Sequence, residues 1–317
     1  MKLVFLDADT MGDVSLAAFA ELGEFVSYPN STPSEALERV SDCNVLLLNK
    51  VKVTAELLDR APHLRLVCVA ATGVNNIDLQ ACAARGVIVR NVAGYSTESV
   101  VQTTFMHILS LAGHAPYYDA RVKDGSYSRS EIFSILSNSF HEIDGQRIGI
   151  IGMGAIGGRV AAVARAFGME VVYYSTSGTS HCTEYPSLAL DELLRTSDIV
   201  SIHAPLNERT RGLIGSRELA LMKPSAFLVN VGRGYIVDEA ALAEAVDGGV
   251  IAGAGLDVFA VEPLPADSPL MHVKHPERFH FSPHIAWASI EARNRLVQRM
   301  VRNVRESYRE DNQSCRP

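Results

Sequence analysis

The sequence predicts an α/β fold built from two doubly wound parallel sheets, with one domain inserted into the other. Short aliphatic runs alternate with helical patterns along almost the whole chain, which is typical of βαβ units and a parallel sheet. A glycine-rich turn of the kind that opens such a domain stands only at residues 151–158, after a long patterned segment. The 317 residues, 47% of them hydrophobic, are enough for about two domains with separate cores.

The first part of the chain contains four strand-like runs, three of them followed by a helical pattern. The strand-like runs are LVFLDA, NVLLLN, LRLVCVA and VIVRNV, and the helical segments are VSLAAFAEL, TAELLDRA and IDLQACAARG. Gly94 then interrupts the alternation, and Ser96 or Thr97 can cap a helix. Apolar residues recur at helical spacing from Val100 to Leu111, which predicts a long helix leaving the first domain.

A second series of strands begins at RIGIIG and ends close to the C-terminal helix. It continues through EVVYYS, DIVSIHAP, AFLVNV and IAGAGLDV to RFHFSPHI, and the amphipathic segment ASIEARNRLVQRMVRNVRESY is expected to return to the first domain. We therefore place one discontinuous domain at residues 1–97 and 287–317 and an inserted domain at residues 98–286. Two crossings between domains predict a hinge with a cleft, where ligand pockets are common.

Composition excludes several classes of function. The formal net charge is −7 and the sequence pI is about 5.8, with Lys and Arg scattered, so we expect no nucleic-acid partner. No run approaches the ~18 apolar residues of a membrane span, and the first apolar run is too short for a signal peptide. The five cysteines show no metal-ligand spacing, so we expect no metal and a reducing, cytoplasmic setting.

The glycine loop in IGMGAIGG predicts a phosphate-binding turn. Gly152, Gly154 and Gly157 directly follow a predicted strand and open a predicted helix. In that setting the glycines allow a tight turn and close backbone approach, while free N–H groups at the helix start can hold a pyrophosphate. Glycines also serve ordinary turns, but the strand-loop-helix context favours a Rossmann-type dinucleotide site.

The end of the next strand bears on which dinucleotide is bound. NAD-binding domains usually carry Asp or Glu there, which holds the ribose 2′-hydroxyl. Here the strand ends in Ser175, Thr176 and Ser177, whose neutral hydroxyls do not repel the extra phosphate of NADP. No arginine stands at that position to attract the phosphate either. The expected cofactor is therefore NAD or NADP, with NAD slightly favoured.

Three polar residues follow predicted strands of the second domain and suit hydride-transfer chemistry. They are Arg233 in NVGRGYIVDE, Glu262 in GLDVFAVEPLP and His284 in FSPHIAWAS. Oxidising a 2-hydroxy acid to a 2-keto acid needs a base for the hydroxyl proton and a cation for the carboxylate, besides a nicotinamide that accepts hydride. Taken singly, each residue could be an ordinary loop or turn residue. Their joint placement at one sheet edge favours catalysis.

The motifs, taken in order, resemble the D-isomer-specific 2-hydroxyacid dehydrogenase family over essentially the whole chain. They are GMGAIG, HAPLNERTRGLI, MKPSAFLVNVGRG, AGLDVFAVEPLP and SPHIAWAS, with ATGVNNIDL and NVAGYSTESV in the first domain. The resemblance implies a Rossmann domain inserted into a flavodoxin-like substrate domain. It also implies that His284 is the acid/base, that Glu262 pairs with it and stabilises the imidazolium, and that Arg233 binds the substrate carboxylate.

The resemblance extends to further binding residues. It implies that backbone amides of Ala155 and Ile156 meet the cofactor phosphates and that Asp257 meets the nicotinamide carboxamide. Residues expected along the cofactor are Ser175, Thr176, His203, Pro205, Thr210, Val231 and His284. Residues expected at the substrate carboxylate are Thr72, Gly73 and Val74, with Lys50 as a further candidate that could equally be a solvated surface lysine.

Within the family, the segments NKVKVTAELL and PHIAWASIEARNRL most resemble glycerate dehydrogenases, which interconvert hydroxypyruvate and D-glycerate. Glyoxylate, pyruvate or bulkier keto acids stay open as substrates. A corepressor-like protein that senses NAD(H) is the alternative from another class of function. The family also implies a homodimer formed through the region of the long helix. We interpret the histidines outside the motifs as surface or core residues; they are His107, His114, His141, His181, His272, His275 and His280.

Overall fold

The computed structural model describes residues 1–179 and 182–314, and side chains as far as residue 308. His181 and one of the five cysteines, Cys315, lie outside these residues. The chain divides into two compact units. Unit 1 combines Met1–Ser96 with the segment that starts at Ala288, and unit 2 is Thr97–Trp287.

Unit 1 is built on a five-stranded parallel sheet. The strands are β1 (Lys2–Phe5), β2 (Glu24–Ser27), β3 (Val45–Leu48), β4 (Leu66–Val69) and β5 (Ile88–Arg90), in the order β2-β1-β3-β4-β5. The helices between them are α1 (Pro33–Arg39), α2 (Ala55–Asp59) and α3 (Leu79–Ala84). This strand order is the flavodoxin-like one, so the expected fold class of the first domain is confirmed.

The sequence-based prediction missed two elements of unit 1, strand β2 and helix α1. It assigned a third, the segment VSLAAFAEL, to the wrong type of helix. Strand β2 lies at the sheet edge, where its four residues are at most half-buried, so its sequence carries little of the apolar signal of an inner strand. Helix α1 starts from a capping box in which Thr32 and Glu35 satisfy each other's backbone N–H groups. The segment VSLAAFAEL forms a short 3-10 helix, Ala17–Leu22, instead of an α-helix.

Unit 2 contains a six-stranded parallel sheet. Its strands are β6 (Arg147–Ile151), β7 (Glu170–Tyr174), β8 (Ile199–Ile202), β9 (Phe227–Asn230), β10 (Gly253–Leu256) and β11 (Phe279–Phe281), in the order β11-β10-β9-β8-β6-β7. Its helices are α4 (Thr97–Ala112), α5 (Ala115–Lys123), α6 (Ala155–Ala166), α7 (Leu190–Thr196), α8 (Ser216–Leu219) and α9 (Glu239–Asp247). All six strands were predicted, and the doubly wound class is confirmed.

The strands of unit 2 come into register in a single row at their carboxyl ends. Going from strand to strand across the sheet, each residue of this row pairs with the next. The row is Tyr174, Ile151, Ile202, Asn230, Leu256 and Phe281. The chain turns back between β6 and β8, because β7 lies on one side of β6 and all later strands lie on the other. Ligands of open α/β sheets bind at such a switch point, outside the carboxyl ends.

The last helix, α10 (Ile290–Ser314), belongs to unit 1 and is fastened to the segment after β5. Three side chains at a spacing of four residues, Arg295, Arg299 and Asn303, donate to the carbonyls of Tyr95, Ala93 and Asn91 at 3.0, 2.7 and 3.0 Å. A spacing of four residues puts these donors on one helix face. The second segment of unit 1 is therefore held to the first by a regular ladder of side-chain hydrogen bonds.

Helix α4 packs across β9, β10 and β11 of unit 2. Its buried face includes Phe105 and Ile108, together with the fully buried His107. Gly255 in β10 makes room for this histidine, since a Cβ there would lie 2.8 Å from the Cβ of His107. Among the described residues, no helix is long and apolar enough to cross a membrane.

Candidate active site

The glycine loop joins β6 to α6 at the switch point of the sheet of unit 2. Gly152 has φ 96°, in the region that favours glycine, and its N–H donates to the carbonyl of Tyr174 at 3.0 Å. A Cβ on Gly157 would collide with the carbonyl oxygen of Gly152. The first turn of α6 begins at exposed Ala155, where backbone N–H groups lack helical acceptors. This tight turn fits a pyrophosphate.

His203 follows β8 beside this loop and carries an unpaired polar atom. Its Nε2 is 2.8 Å from the hydroxyl of Ser201, whereas its Nδ1 is buried and has no hydrogen-bond partner among the described residues. Burial lowers the pKa of His203 to about 3, so the ring is neutral. A buried ring nitrogen without a partner is costly, and a ligand in the glycine-loop crevice could supply one.

His284 and Glu262 form a hydrogen-bonded pair beyond the same sheet edge. The Nδ1 of His284 lies 2.7 Å from Oε2 of Glu262, and the other carboxylate oxygen accepts from the N–H of Phe259 at 3.0 Å. The two side chains are 24% and 32% exposed, so the pair is reachable from solvent but partly desolvated. The structure therefore brings together the two residues that the sequence analysis expected to pair.

The backbone of His284 is strained and is held by Asp257. His284 has φ 54°, which a non-glycine residue adopts at a cost of roughly 1–2 kcal/mol. Its N–H donates to the carbonyl of Asp257 at 2.8 Å. The carboxylate of Asp257 accepts from the N–H groups of Ile285 and Ala286, both at 2.9 Å. Asp257 thus fixes the loop that aims the imidazole, and its expected contact with the nicotinamide stays a prediction.

A chain of buried polar side chains leads from Asp257 into the core of unit 2. The hydroxyl of Ser282 donates to Asp257 at 2.5 Å and lies 3.0 Å from Nε2 of His107, whose Nδ1 lies 2.8 Å from Nδ1 of His280. Burial lowers the pKa of His107 to about 4 and also lowers that of His280, while burial raises the pKa of Asp257. His107 is therefore a core residue as expected, but it is linked to the loop of His284.

Arg233 stands in the loop after β9, next to the loop of Glu262. Its carbonyl accepts from the side chain of Asn230 at 2.9 Å, and its own Nη1 donates to the carbonyl of Gly232 at 2.8 Å. A Cβ on Gly234 would collide with the backbone of Phe259, so the two loops lie in close contact. The half-buried guanidinium and the histidine-glutamate pair therefore belong to adjacent loops.

The loop after β7, residues 175–179, carries hydroxyl groups and is contacted by an arginine from elsewhere. The hydroxyls of Ser175 and Ser177 donate to the carbonyl of Thr179 at 2.7 and 3.0 Å. Nη1 of Arg209, from the loop after β8, donates to the carbonyl of Ser177 at 2.8 Å. The expectation that no arginine stands here was wrong, because it considered only the loop's own sequence and the arginine arrives from the next loop.

The remaining residues expected along the cofactor have mainly local partners. The buried hydroxyl of Thr210 donates to the carbonyl of Pro205 at 2.6 Å and accepts from the N–H of Asn207 at 2.9 Å, which shapes the loop after β8. Val231 is buried directly after β9, and Thr176 is half-buried. Their contacts with a cofactor stay predictions.

The substrate-binding residues expected in unit 1 follow two adjacent strands. Lys50 follows β3, while Thr72, Gly73 and Val74 follow β4, and these strands pair at Leu48 and Val69. The buried carboxylate of Asp7 accepts from the N–H groups of Asn49, Lys50 and Val51 at 2.8, 2.6 and 3.1 Å. Sequence reasoning missed this role of Asp7, although an acidic residue directly after a buried strand could have suggested it.

A cavity of about 770 Å³ lies at the opposite edge of the sheet of unit 2, where the strands begin. Its lining includes Tyr117, Phe140, Asp198, Phe227 and His280. It is separate from the glycine loop and from His284. Over the part of the chain that the structure describes, no group of three or more His, Cys, Asp or Glu side chains could hold a metal ion.

The chain is similar to known proteins over most of its length. The sequence model of the D-isomer specific 2-hydroxyacid dehydrogenase family, NAD binding domain, matches residues 105–286. The glycerate dehydrogenase of Methylorubrum extorquens is 35% identical over 304 residues, 96% of this chain and 95% of that protein. The glyoxylate reductase of Aeropyrum pernix is 40% identical over 265 residues, 80% of this chain and 76% of that protein.

Solved structures give the same result at the level of the fold. The D-lactate dehydrogenase of Aquifex aeolicus, in complex with NAD and lactic acid, superposes with a TM-score of 0.84. It is 28% identical in sequence, and the match covers 99% of this chain and 97% of that one.

Proposed function

The chain belongs to the D-isomer-specific 2-hydroxyacid dehydrogenase family, and from this premise we propose that it interconverts a small 2-keto acid and its D-2-hydroxy acid with NAD or NADP. The observation that carries the proposal is the 2.7 Å contact between His284 and Glu262, at the sheet edge that also bears the glycine loop. One edge thus holds a proton-transfer group and a dinucleotide-type turn.

His284 is the proposed acid and base of the reaction. Because Nδ1 is occupied by Glu262, Nε2 is the ring nitrogen left to exchange a proton with the substrate oxygen. In reduction Nε2 gives its proton to the carbonyl oxygen as hydride reaches the carbon, and in oxidation it takes the hydroxyl proton. The carboxylate of Glu262 stabilises the imidazolium before reduction and after oxidation.

Arg233 is the proposed binding residue for the substrate carboxylate. A guanidinium donates two parallel hydrogen bonds to a carboxylate, which fixes the orientation of the neighbouring carbonyl. Each charge-assisted hydrogen bond contributes roughly 1.5–3 kcal/mol. Backbone amides of Thr72, Gly73 and Val74 are the proposed second contact with that carboxylate, and Lys50 is a further candidate.

The residues of the glycine loop fit a dinucleotide. Gly152 and Gly157 form a turn too tight for a side chain at either position, and the buried Nδ1 of His203 has no partner among the described residues. When bound, the nicotinamide supplies or accepts the hydride. Gly154, Ala155 and Ile156 would hold its phosphates, and either NAD or NADP suits this loop.

Hydroxypyruvate and D-glycerate are the proposed substrate pair, with glyoxylate as the next candidate. The segments NKVKVTAELL and PHIAWASIEARNRL resemble glycerate dehydrogenases. Proteins named glycerate dehydrogenase and glyoxylate reductase are among the relatives at 35% and 40% identity. Both keto acids are small and carry the carboxylate that Arg233 would bind.

A substrate panel with NADH and NADPH in parallel tests the proposal. We expect the wild-type protein to reduce hydroxypyruvate fastest and glyoxylate more slowly. His284→Asn and Arg233→Gln should each lower kcat/KM by at least about a hundredfold. For Arg233→Gln the cofactor Kd should stay within about threefold of the wild type, because Arg233 is proposed to contact only the substrate. Wild-type protein that binds NADH or NADPH but reduces no 2-keto acid would instead support an NAD(H)-sensing, corepressor-like function.

A homodimer formed through unit 2 is also proposed. Large apolar side chains are exposed along one stretch of unit 2, and Phe133 is 90% exposed and Leu136 75%. The others in this stretch are Met106, Leu109, Val122, Tyr127, Ile132 and Phe140. Soluble monomers rarely expose so many apolar side chains together, and a second copy of the chain would cover them. We call residues 106–140 the apolar segment.

A cytoplasmic location is proposed from the state of the cysteines. Cys43, Cys68 and Cys82 are free and buried, and burial raises the pKa of the Cys43 and Cys68 thiols to about 12. Free thiols are typical of proteins from a reducing compartment.

A further inference from the structure

The end of β7 is the place where a dinucleotide-binding domain distinguishes NAD from NADP. The adenosine ribose lies there, and a carboxylate that accepts from the 2′-hydroxyl selects NAD, whereas a nearby arginine accommodates the 2′-phosphate of NADP. Tyr174 ends β7 beside the glycine loop, since its carbonyl accepts from the N–H of Gly152. Residues 175–179 therefore occupy the selecting position.

This loop presents hydroxyl groups and no acidic side chain. Residues 175–179 read Ser-Thr-Ser-Gly-Thr. The hydroxyl of Ser175 lies 3.1 Å from that of Ser177, which in turn lies 3.2 Å from the hydroxyl of Thr179. A phosphate would meet no negative charge in this loop, and it could accept from the hydroxyls of Ser175 and Ser177 once they rotate away from the carbonyl of Thr179, to which they now donate. A 2′-hydroxyl would find no carboxylate to accept its hydrogen bond.

Arg209 brings a positive charge to the loop from outside it. Its guanidinium donates through Nη1 to the carbonyl of Ser177 at 2.8 Å, and its backbone N–H donates to Oδ1 of Asn207 at 2.9 Å. Within the described ranges no carboxylate lies within ion-pair distance of this guanidinium, whereas Arg217 pairs with both Asp191 and Glu218. Among the described residues, the side chain of Arg209 forms a hydrogen bond through Nη1. Its Nε and Nη2 form none with these residues.

We propose that Arg209, together with the hydroxyls of Ser175 and Ser177, binds the 2′-phosphate of NADP(H) and makes this chain prefer NADP(H) over NAD(H). The inference rests on the proposed dinucleotide site and assigns its specificity. A planar guanidinium can donate two hydrogen bonds to one phosphate, so the contact with Ser177 pre-positions a group that has further donors to offer. This preference reverses the slight preference for NAD expected from the sequence.

Calorimetric titration with 2′,5′-ADP and with 5′-AMP tests the inference without hydride transfer. The two ligands share the adenosine and the 5′-phosphate and differ only in the 2′-phosphate. We expect wild-type protein to bind 2′,5′-ADP at least about tenfold more tightly than 5′-AMP. Arg209→Gln should remove most of this difference while the Kd for 5′-AMP stays within about twofold.

Arg211→Gln is the matched control, because Arg211 lies two residues further along the same exposed loop and stacks on the ring of Tyr235 at 4.7 Å. It should leave the ratio of the two affinities unchanged. Ser175→Asp provides an independent variant, since a carboxylate at the loop repels a 2′-phosphate and can accept from a 2′-hydroxyl. It should weaken 2′,5′-ADP at least about tenfold and bind 5′-AMP at least as tightly as the wild type does. Circular dichroism melting curves would establish that each variant is folded.

Equal affinities of the wild-type protein for the two ligands, or an unchanged ratio in Arg209→Gln, would overturn the inference. These outcomes are separable from the fate of the proposed activity. A protein that reduces keto acids but prefers NADH keeps the dehydrogenase function and loses this inference. A protein that selects 2′,5′-ADP through Arg209 but reduces no keto acid keeps the inference and loses the proposed reaction.

Discussion

The contact between His284 and Glu262 determines which imidazole nitrogen can exchange a proton. Nδ1 is engaged at 2.7 Å, and the φ of 54° at His284 sets the direction of the side chain from a strained backbone. Asp257 holds that backbone through the N–H groups of residues 284–286. Orientation of the ring therefore depends on two carboxylates, one that contacts it directly and one that is buried beneath its loop.

Glu262→Gln should move the pH optimum of keto-acid reduction downward. A neutral amide stabilises the imidazolium of His284 less than a carboxylate does. A lower pH is therefore needed to keep His284 protonated as the proton donor. Measuring kcat/KM for reduction from pH 5 to 9 checks this. Glu277→Gln is the control, because Glu277 also pairs with a histidine, His275 at 3.1 Å, and no proposed site residue is involved. Identical profiles for the wild type and Glu262→Gln would contradict the proposed role of the pair.

The types of the proposed site residues follow from the sequence, but the contacts that orient them do not. Arg233, Glu262 and His284 could be named because each follows a predicted strand. The left-handed backbone of His284 could not be named, since it depends on hydrogen bonds to Asp257 in another loop. The link from His107 through Ser282 to Asp257 could not be named either, since it depends on helix α4 packing across three strands. Arg209 was missed for the same reason, because its partner lies 32 residues away along the chain.

The first turn of helix α6 contains two adjacent glycines, Gly157 and Gly158, that have opposite surroundings. A Cβ on Gly157 would collide with the carbonyl oxygen of Gly152, whereas a Cβ on Gly158 would meet nothing within 4 Å. Only the first glycine is required by the close approach of helix and loop. The second is a position where an ordinary helical residue would fit.

Gly157→Ala should therefore lower stability, whereas Gly158→Ala should not. Gly157→Ala should lower the free energy of unfolding by about 1–3 kcal/mol and weaken dinucleotide binding, because helix and loop must separate. Gly158→Ala should leave stability unchanged or raise it by up to about 1 kcal/mol, since alanine favours helix more than glycine does. Urea unfolding of both variants checks the prediction, and equal effects would count against the tight turn described here.

At the scale of elements, inner strands were the most predictable and edge elements the least. All six strands of unit 2 were predicted, because five of them carry at least three buried residues in a run. Strand β2 was missed because its residues are only partly buried at the sheet edge. The 3-10 helix Ala17–Leu22 shows the opposite case, in which packing of Phe19 against Phe5 overrides an apparent α-helical pattern.

Buried neutral histidines make the stability of the whole molecule depend on pH. The pKa of His107 is about 4 and that of His203 about 3 in the fold, against roughly 6.5 in an unfolded chain. Between pH 6.5 and 4 the unfolded chain binds more protons, so stability is full above pH 6.5 and is lost as the pH falls.

The unfolding free energy should thus fall between pH 6.5 and 4, by up to about 3 kcal/mol per pH unit from these two groups. His203→Asn should reduce that slope by about half. Urea titrations at half-unit pH intervals would measure both slopes. A variant slope equal to that of the wild type would mean that folding does not lower the pKa of His203.

The apolar segment predicts the mass of the particle in solution. The wild type should have twice the 34.4 kDa mass of the chain in multi-angle light scattering. Phe133→Asp combined with Leu136→Asp should shift the mass toward a single chain, because two charges would be buried in the proposed interface. Met271→Asp is the control, since Met271 is 55% exposed outside the segment. A monomeric wild type would refute the dimer.

The strands of unit 2 end in a common row, from Tyr174 to Phe281. This row divides the paired strands, which form the scaffold, from the connecting loops beyond them. Insertions or exchanges beyond the row lengthen or replace a connection and leave every inter-strand ladder intact. A descendant protein could therefore acquire specificity for a different coenzyme or a different acid substrate through changes in a few connecting loops. The paired strands would fold unchanged.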